Sequence, residues 1–230
     1  MMHLSEIKEL SEELEIAPLN IIREQLEIEI LDNFSRSELS ERVIFYGGTA
    51  IRLAYGGQRF SEDLDFIFER TIKQSDVNEL ESIIRNVSKK NEGVLLEEVH
   101  DKRNTLFGLV HVSHPLLKHS IRVKIELSKK AHKQESEYLM LSSPTSILNP
   151  VIKTSSVKSL IQNKLLAIKM RNEPRDWFDL WFLSTKDNSV NKPSEKFPFN
   201  KREFANELKR WLPKKFWKIV PNVISYYEKN

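Results

Sequence analysis

The chain of 230 residues contains no cysteine and only six glycines. The lack of cysteine excludes disulfide bonds and thiolate-bound metals, and it is typical of proteins in a reducing compartment. No apolar run approaches the ~18 residues that a membrane helix needs, and the N-terminus lacks the basic start and apolar stretch of a signal peptide. We therefore expect a cytoplasmic protein that does not bind membranes.

The composition predicts a folded chain with a well-buried core. Apolar residues make up 40% and charged residues 30% of the chain, a balance typical of globular proteins. The length fits one large domain or two small ones. The net charge of +3 is a mild basic bias that permits nucleic acid as a partner without requiring it.

Hydrophobic periodicity predicts helices and strands in a mixed order up to about residue 150. The predicted helices have apolar positions at Leu4 to Leu14, Leu19 to Ile30 after Pro18, Thr49 to Tyr55 and Val77 to Val87. The predicted strands are Val43 to Tyr46, a run that starts near Asp63, Val94 to Val99, Thr105 to Val112 and Ile121 to Leu127.

Beyond Pro150 the pattern becomes helical. The predicted segments are Ser156 to Arg171, Asp176 to Leu183, Arg202 to Leu212 and Lys215 to Tyr227. The polar stretch from Ser184 to Lys201 contains two prolines and is expected to be a linker or a mobile loop. We predict an α+β domain over residues 1–150 and a helical domain over 151–230.

A glycine pair followed by two aspartates is the most informative feature of the chain. Gly47, Gly48 and Thr49 would form a turn whose free backbone N–H groups can receive a triphosphate. Asp63 and Asp65 alternate with apolar residues on a strand, so both carboxylates lie on one face. This arrangement is a candidate nucleotidyl-transfer site.

Packing alone gives no reason for two like charges on a strand, whereas a divalent cation does. Mg²⁺ is commonly held by one or two carboxylates together with substrate phosphates. Asp63 and Asp65 are therefore candidate Mg²⁺ ligands, with Mn²⁺ as an alternative ion. The competing interpretation is the end of a surface hairpin with solvated aspartates.

A third carboxylate lies on the strand from Ile121 to Leu127, whose charged face includes Glu126. If that strand lies beside the aspartate strand, Glu126 could complete a three-carboxylate metal site or activate an attacking hydroxyl. The alternative is an ordinary solvated strand face.

The segment from Lys164 to Leu183 predicts a helix, a break at Pro174 and a second helix. Lys164 stands among apolar neighbours, so it either extends to the surface or reaches into a cleft to hold phosphate. Asp176 is a reasonable N-cap of the second helix. Asp179 lies on the same helix face, where an arginine could pair with either aspartate.

Taken together, these motifs resemble the AbiEii/AbiGii toxin family. The matching elements are Gly-Gly-Thr-Ala-x-Arg, then Arg-x-Ser-x-Asp-Leu-Asp-Phe, then Lys with Arg-Asp-x-x-Asp-Leu downstream, in this order between residues 40 and 185. The resemblance implies a DNA polymerase β-like nucleotidyltransferase core, a mixed sheet with flanking helices, followed by a helical C-terminal part that contributes to the active-site cleft. One departure is Asn163, since the family often has an acidic residue directly before the lysine.

The resemblance also assigns roles by position. It implies that Gly47, Gly48 and Thr49 form the phosphate turn, with Arg59 and Ser61 shaping that turn and touching phosphate. It implies that Asp63 and Asp65 are the metal pair, and it matches Glu126 to the third acidic position less closely. Lys164 and Asp179 fall on the downstream motif, and Lys164 would hold the NTP phosphates.

The activity implied is Mg²⁺-dependent transfer of a nucleoside monophosphate from an NTP to RNA. The tRNA 3′ end is the expected acceptor, and the system is a toxin–antitoxin or phage-defence pair with a cognate antitoxin. Three alternatives are a transferase that modifies a small molecule, a catalytically silent RNA-binding or partner-binding module, and a metal-dependent nuclease.

The helical part is rich in lysine and arginine, which suits an RNA backbone. Its basic residues include Lys153, Lys158, Lys169, Arg171, Arg175, Lys201, Arg202, Lys209, Arg210, Lys214, Lys215 and Lys218. Trp211 and Trp217 stand among them, where they either stack on RNA bases or pack into the core.

Overall fold

The computed structural model describes residues 2–130, 134–187 and 192–228 and contains eight α-helices and seven strands in these ranges. The helices are α1 Leu4–Glu13, α2 Pro18–Ser35, α3 Gly47–Tyr55, α4 Gln74–Lys90, α5 Val157–Met170, α6 Pro174–Ser184, α7 Lys201–Lys209 and α8 Val220–Glu228. The strands are β1 Val43–Tyr46, β2 Asp63–Phe68, β3 Val94–Asp101, β4 Thr105–Val112, β5 Ile121–Ser128, β6 Ser136–Met140 and β7 Val151–Ser155. Two short 3-10 helices span Glu38–Arg42 and Lys214–Ile219.

All seven strands form one mixed sheet in the order β3-β4-β5-β2-β1-β7-β6. β2 pairs in parallel with β5, and β1 pairs in parallel with β7, whereas the other neighbours are antiparallel. Together with the flanking helices and the helical C-terminal part, this sheet confirms the predicted α+β class.

The alternating pattern of β2 fixes which of its faces is buried. Leu64, Phe66 and Phe68 are fully or almost fully buried. The Phe66 ring stacks on Phe34 of α2, with 4.5 Å between ring centroids. Asp63 and Asp65 therefore lie on the opposite face and remain partly exposed.

Strands β6 and β7 differ from the sequence-based expectation. The pattern beyond Pro150 predicts helix, but Val151–Ser155 form β7, which is inserted between β1 and β6. A five-residue strand carries too few apolar positions to give a clear period. The sheet thus extends past residue 150, and the division of the chain into two domains stays a prediction.

The C-terminal helices surround a second cluster of buried apolar side chains, which includes Trp177, Phe178 and Phe204. Ile51 of α3 belongs to this cluster, whereas Leu53 of the same helix belongs to the sheet cluster. Helix α3 therefore lies between the two cores and connects the glycine motif to both.

The predicted helix from Lys215 to Tyr227 is divided into the second 3-10 helix and α8. Pro221 lacks a backbone N–H and fits the first turn of a helix, so α8 begins at Val220.

The predicted loop from Ser184 to Lys201 is partly anchored. Phe197 stacks on Tyr227 at a centroid distance of 5.8 Å and meets Trp177 edge-on at 5.3 Å. Residues 188–191 of this prediction lie outside the described residues. In the described part of the chain, every helix is too short or too polar to cross a bilayer.

Candidate active site

Helix α3 begins at the glycine pair, directly after β1 ends at Tyr46. Gly47 has a φ of +84°, a left-handed conformation that glycine adopts without strain. The first N–H groups of a helix have no partner within it, and no side chain caps this end. The N-terminus of α3 is therefore a potential anion site, as the sequence predicts.

Close contacts require a glycine at both positions, and Gly47 is required by its backbone conformation as well. A methyl group on Gly47 would collide with the Asp65 carboxylate. One on Gly48 would lie 2.5 Å from Arg59 Nη2 and 2.7 Å from Ser61 Oγ. The segment that carries the aspartates is thus packed directly against the start of α3.

The register of the sheet sets three polar residues side by side. Asp65 of β2 is paired with Tyr46 of β1 on one side and with Glu126 of β5 on the other. Asp63 is paired with Lys124 of β5, whose Nζ lies 3.8 Å from Asp63 Oδ1. The predicted role of Glu126 requires its strand to lie beside the aspartate strand, and β5 is the direct neighbour of β2.

Burial and nearby negative charge raise the pKa values of the two aspartates of β2. Burial, together with the charges of Asp63 and Glu126, raises the pKa of Asp65 to about 7. Burial also raises the pKa of Asp63, which Lys124 opposes. The pKa of Tyr46 is raised by burial and by the charges of Asp65 and Glu126, so its hydroxyl keeps its proton.

This donor set fits a divalent cation that is completed by substrate. Two aspartates on one strand face supply hard oxygen ligands, and a bound cation would stabilise the charged carboxylates that burial disfavours. Within the described ranges, no group of three or more Asp, Glu and His side chains is arranged to hold a metal ion. The three-carboxylate site with Glu126 is therefore not preformed and stays a prediction.

Lys164 of α5 is buried between two aspartates of α6. Its Nζ lies 3.0 Å from Asp176 Oδ1 and 2.7 Å from Asp179 Oδ2, and the residue is only 5% exposed. The side chain therefore does not extend to the surface, and its role as a phosphate ligand stays a prediction. In this structure its charge is shared between these two carboxylates.

Asp179 also receives two hydrogen bonds from Arg59, with Nε–Oδ1 and Nη2–Oδ2 distances of 2.9 and 2.7 Å. Burial alone would raise the pKa of Asp179, but the charges of Arg59 and Lys164 hold it below its usual range. Both Arg59 and Asp179 are almost completely buried. They contact their neighbours from inside the protein, since Arg59 lies against the start of α3 and Asp179 pairs with Lys164.

Asp176 is not the N-cap of α6. The N-cap is Glu173, with Pro174 at the first helical position. Asp176 accepts two hydrogen bonds of 2.8 Å from Arg171 as well as one from Lys164. Burial would raise the pKa of Asp176, but these hydrogen bonds and charges hold it far below its usual range.

Two predicted phosphate residues have defined positions. Thr49 is buried, and its hydroxyl donates a 2.6 Å hydrogen bond to the Asp63 carbonyl, which ties α3 to β2. Ser61 is partly exposed and lies against Gly48.

A cavity of about 460 Å³ is lined by five of the predicted site residues. Its lining includes Gly47, Gly48, Asp65, Glu126 and Lys164. Helix α5 forms the opposite wall, which consists of Leu160, Asn163, Leu166, Ala167 and Met170, followed by Arg171.

Sequence reasoning missed Tyr46 and Arg171 as site residues. Arg171 is a cavity residue whose side chain is 49% exposed while Asp176 holds its guanidinium in place. Its spacing of seven residues from Lys164 places both on one face of a helix, which is the signal that could have identified it.

The chain is similar to known nucleotidyltransferases in sequence and in fold. A family model described as nucleotidyl transferase AbiEii toxin, type IV TA system, matches residues 29–213. Among solved structures, JHP933 from Helicobacter pylori is 25% identical with a TM-score of 0.55, and the match covers 93% of this chain and 81% of JHP933.

A second crystal structure, of a proposed nucleotidyltransferase from H. pylori, is also 25% identical, with a TM-score of 0.55. That match covers 93% of this chain and 83% of the other. Among curated proteins, none is significantly similar to the chain in sequence.

Proposed function

This chain belongs to the AbiEii family of nucleotidyl transferase toxins of type IV toxin–antitoxin systems, and we propose that it transfers a nucleoside monophosphate from an NTP to an RNA hydroxyl. The observation that carries the proposal is the contact of Asp65 with Gly47 at the N-terminus of α3. A carboxylate that can bind a cation thus lies beside a helix end that can bind phosphate.

The NTP phosphates would lie on the backbone N–H groups of Gly47 and Gly48. Arg171 is the exposed cation of the cavity, and its planar guanidinium suits a phosphate oxygen pair. Lys164 adds positive charge from the buried side, where Asp176 and Asp179 fix its position. Such fixed charges act mainly by orienting the triphosphate and by stabilising charge in the transition state.

Asp63 and Asp65 would hold Mg²⁺, or Mn²⁺ in its place. The bound ion would supply positive charge to the phosphates and to the leaving pyrophosphate. Glu126 lies next to Asp65 on the exposed side of β5, where it could join the ion or accept a proton.

In the transfer, the oxygen of the acceptor hydroxyl forms a bond to the α-phosphorus, and the bond from that phosphorus to the bridging oxygen of pyrophosphate breaks. The hydroxyl proton passes to Glu126 or to solvent. Arg59 and Asp179 contribute by holding Gly48 and Lys164 in place, since each contacts one of these residues.

RNA is proposed as the acceptor because the C-terminal helices present many cations. Five exposed basic residues lie close together in this part of the sequence: Lys209, Arg210, Lys214, Lys215 and Lys218. Trp211 is only 8% exposed and belongs to the interior, whereas Trp217 is half-buried with Lys209 over its ring. The tRNA 3′ end is the specific acceptor that we propose, and family membership implies a cognate antitoxin as a further partner.

The test is incubation of the protein with Mg²⁺, total tRNA and each α-labelled NTP in turn, with Asp65→Ala in parallel. We expect label in RNA with the wild type and none with the variant. The amount of RNA bound should fall as the salt concentration rises, because phosphate contacts release counterions. Shortened RNA would indicate a nuclease instead, and a folded protein that labels no RNA would contradict the proposal.

A further inference from the structure

Tyr46 is a cavity residue that has no role in the transfer described above. It is the last residue of β1 and the N-cap of α3, directly before Gly47. The register of the sheet pairs Tyr46 with Asp65, and Asp65 with Glu126, so these three side chains lie on one face of the sheet. Because Tyr46 also lines the cavity, its side chain lies beside the two carboxylates of the candidate site.

The hydroxyl of Tyr46 has no hydrogen-bond partner in the part of the chain that the structure describes. By contrast, Tyr227 donates to the Trp177 carbonyl at 2.8 Å, and Tyr138 donates to Glu41 Oε2 at 2.7 Å. Tyr46 is partly buried, and a tyrosine hydroxyl in such a position usually has a partner. Its proton is therefore available to a ligand that enters the cavity.

The groups around this hydroxyl indicate which kind of ligand it can bind. The charges of Asp65, Glu126 and Arg171 all act on it, so these three side chains lie close to it. The hydrogen bonds from Arg171 to Asp176 use Nε and Nη2 and do not engage Nη1. The first backbone N–H groups of α3 also lack partners within the helix. A hydroxyl, a guanidinium and backbone N–H groups thus offer donors in one cavity, and such a set suits an anion.

We propose that Tyr46 is a substrate-binding residue whose hydroxyl donates a hydrogen bond to the triphosphate of the NTP. The inference rests on the proposed function, because it adds a donor to the place where the NTP phosphates bind. The phosphates are favoured over the ribose and the base because Tyr46 directly precedes Gly47, whose N–H group belongs to the phosphate turn. All four NTPs share this triphosphate, so the hydroxyl increases the affinity for each of them and does not select a base.

The first test measures the dissociation constants of inorganic triphosphate and of the four NTPs by calorimetry, with Mg²⁺ and without RNA. Tyr46→Phe removes the hydroxyl and keeps the ring. We expect it to raise every one of these dissociation constants by about tenfold or more and to a similar extent, since a hydrogen bond to a charged group is lost. The matched control is Tyr138→Phe, the same change on the exposed strand β6, which should leave all of them unchanged.

Thermal unfolding separates a role in substrate binding from a role in the fold. Without ligand, Tyr46→Phe should unfold at the same temperature as the wild type, because the missing hydroxyl has no partner in the free protein. Tyr227→Phe should unfold at a lower temperature, since its buried hydroxyl bonds the Trp177 carbonyl. At the same concentration of triphosphate and Mg²⁺, the rise in Tm should be smaller in Tyr46→Phe than in the wild type.

Three results would overturn the inference. An unchanged dissociation constant of inorganic triphosphate in Tyr46→Phe would show that the hydroxyl does not contact phosphate. Weaker binding of the NTPs alone would assign the hydroxyl to the ribose or the base. A loss of stability of free Tyr46→Phe as large as that of Tyr227→Phe would give Tyr46 a structural role. A wild type that binds neither triphosphate nor any NTP would refute the proposed function itself, and this outcome is distinct from the other three.

Discussion

Arg59 and Asp179 form a two-point hydrogen-bonded ion pair although they are 120 residues apart in the sequence. Arg59 belongs to the segment that leads into β2, and Asp179 belongs to α6. The pair therefore joins the sheet that carries Asp63 and Asp65 to the helices that carry Lys164. Because both side chains are buried, neither charge can be satisfied by water when its partner is removed.

Asp179→Asn should strongly destabilise the fold. The change leaves Arg59 and Lys164 close together without their shared counter-charge, and breaking a buried pair typically costs about 3–5 kcal/mol. Urea denaturation measures the free energy of unfolding. The control is Arg85→Ala, which removes an exposed pair with Glu81 and should cost less than about 1 kcal/mol. Equal effects of the two changes would contradict this account.

Gly48→Ala should reduce nucleotidyl transfer by at least about tenfold. The added methyl group would press on Arg59 Nη2 and Ser61 Oγ and displace the start of α3 from β2. Gly56→Ala is the control, since that glycine has a φ of +74° but open space around it. It should cost about 1 kcal/mol of stability and leave the transfer rate of the folded protein intact. Full activity of Gly48→Ala would show that the contact is not needed.

Arg171→Lys should raise the KM for the NTP by about tenfold, which corresponds to about 1.4 kcal/mol. Lysine keeps the charge but loses the planar fork that binds Asp176 and that, in the proposed function, also contacts a phosphate. Steady-state kinetics with varied NTP concentration measures the change. Arg85→Lys, on the exposed surface of α4, is the control and should leave KM unchanged. An unchanged KM in Arg171→Lys would show that Arg171 does not contact the NTP phosphates.

Asp65→Asn should stabilise the metal-free protein increasingly as the pH rises from about 4 to 8. In the fold the pKa of Asp65 is raised to about 7, so the folded state holds this proton more tightly than the unfolded state. The stabilisation by the protonated form is therefore complete below the ordinary pKa near 4 and is lost as the pH rises through 7. The difference in unfolding free energy between variant and wild type should reach at most about 4 kcal/mol at pH 8.

This difference is measured by thermal or urea unfolding in EDTA, with Glu9→Gln on the exposed face of α1 as the control. The control should show no such trend. Excess Mg²⁺ should reduce the advantage of Asp65→Asn, because the ion binds the aspartate and not the amide. A constant difference across this pH range would contradict the raised pKa.

Much of the fold was predictable because local patterns carry it. The alternation in β2 and the period of helices such as α4 and α5 identify each element and its buried face. Helix α2 is an exception, since it is predicted to be amphipathic but is buried almost all round and includes Glu24 and Glu27. Burial on every side depends on the segments that pack against the helix, and the apolar period of the helix itself gives no information about them.

Strands β6 and β7 were missed for a related reason. Each has five residues, and their pairing with each other and with β1 is what makes them strands. Strand preference depends strongly on such neighbours.

Local sequence is enough to identify the motifs of the candidate site: a glycine pair, two aspartates on one strand face, and a lysine and aspartates near a helix break. Residue type and spacing establish these features, because they are local. The packing of distant segments sets which residues face the cavity and which support it from inside. Asp176 is a buried partner of Lys164 and Arg171 and not the predicted cap. Glu126 lies beside Asp65, and Asn163 pairs with Gln134. These relationships depend on strand order and helix packing between distant segments, which no local period specifies.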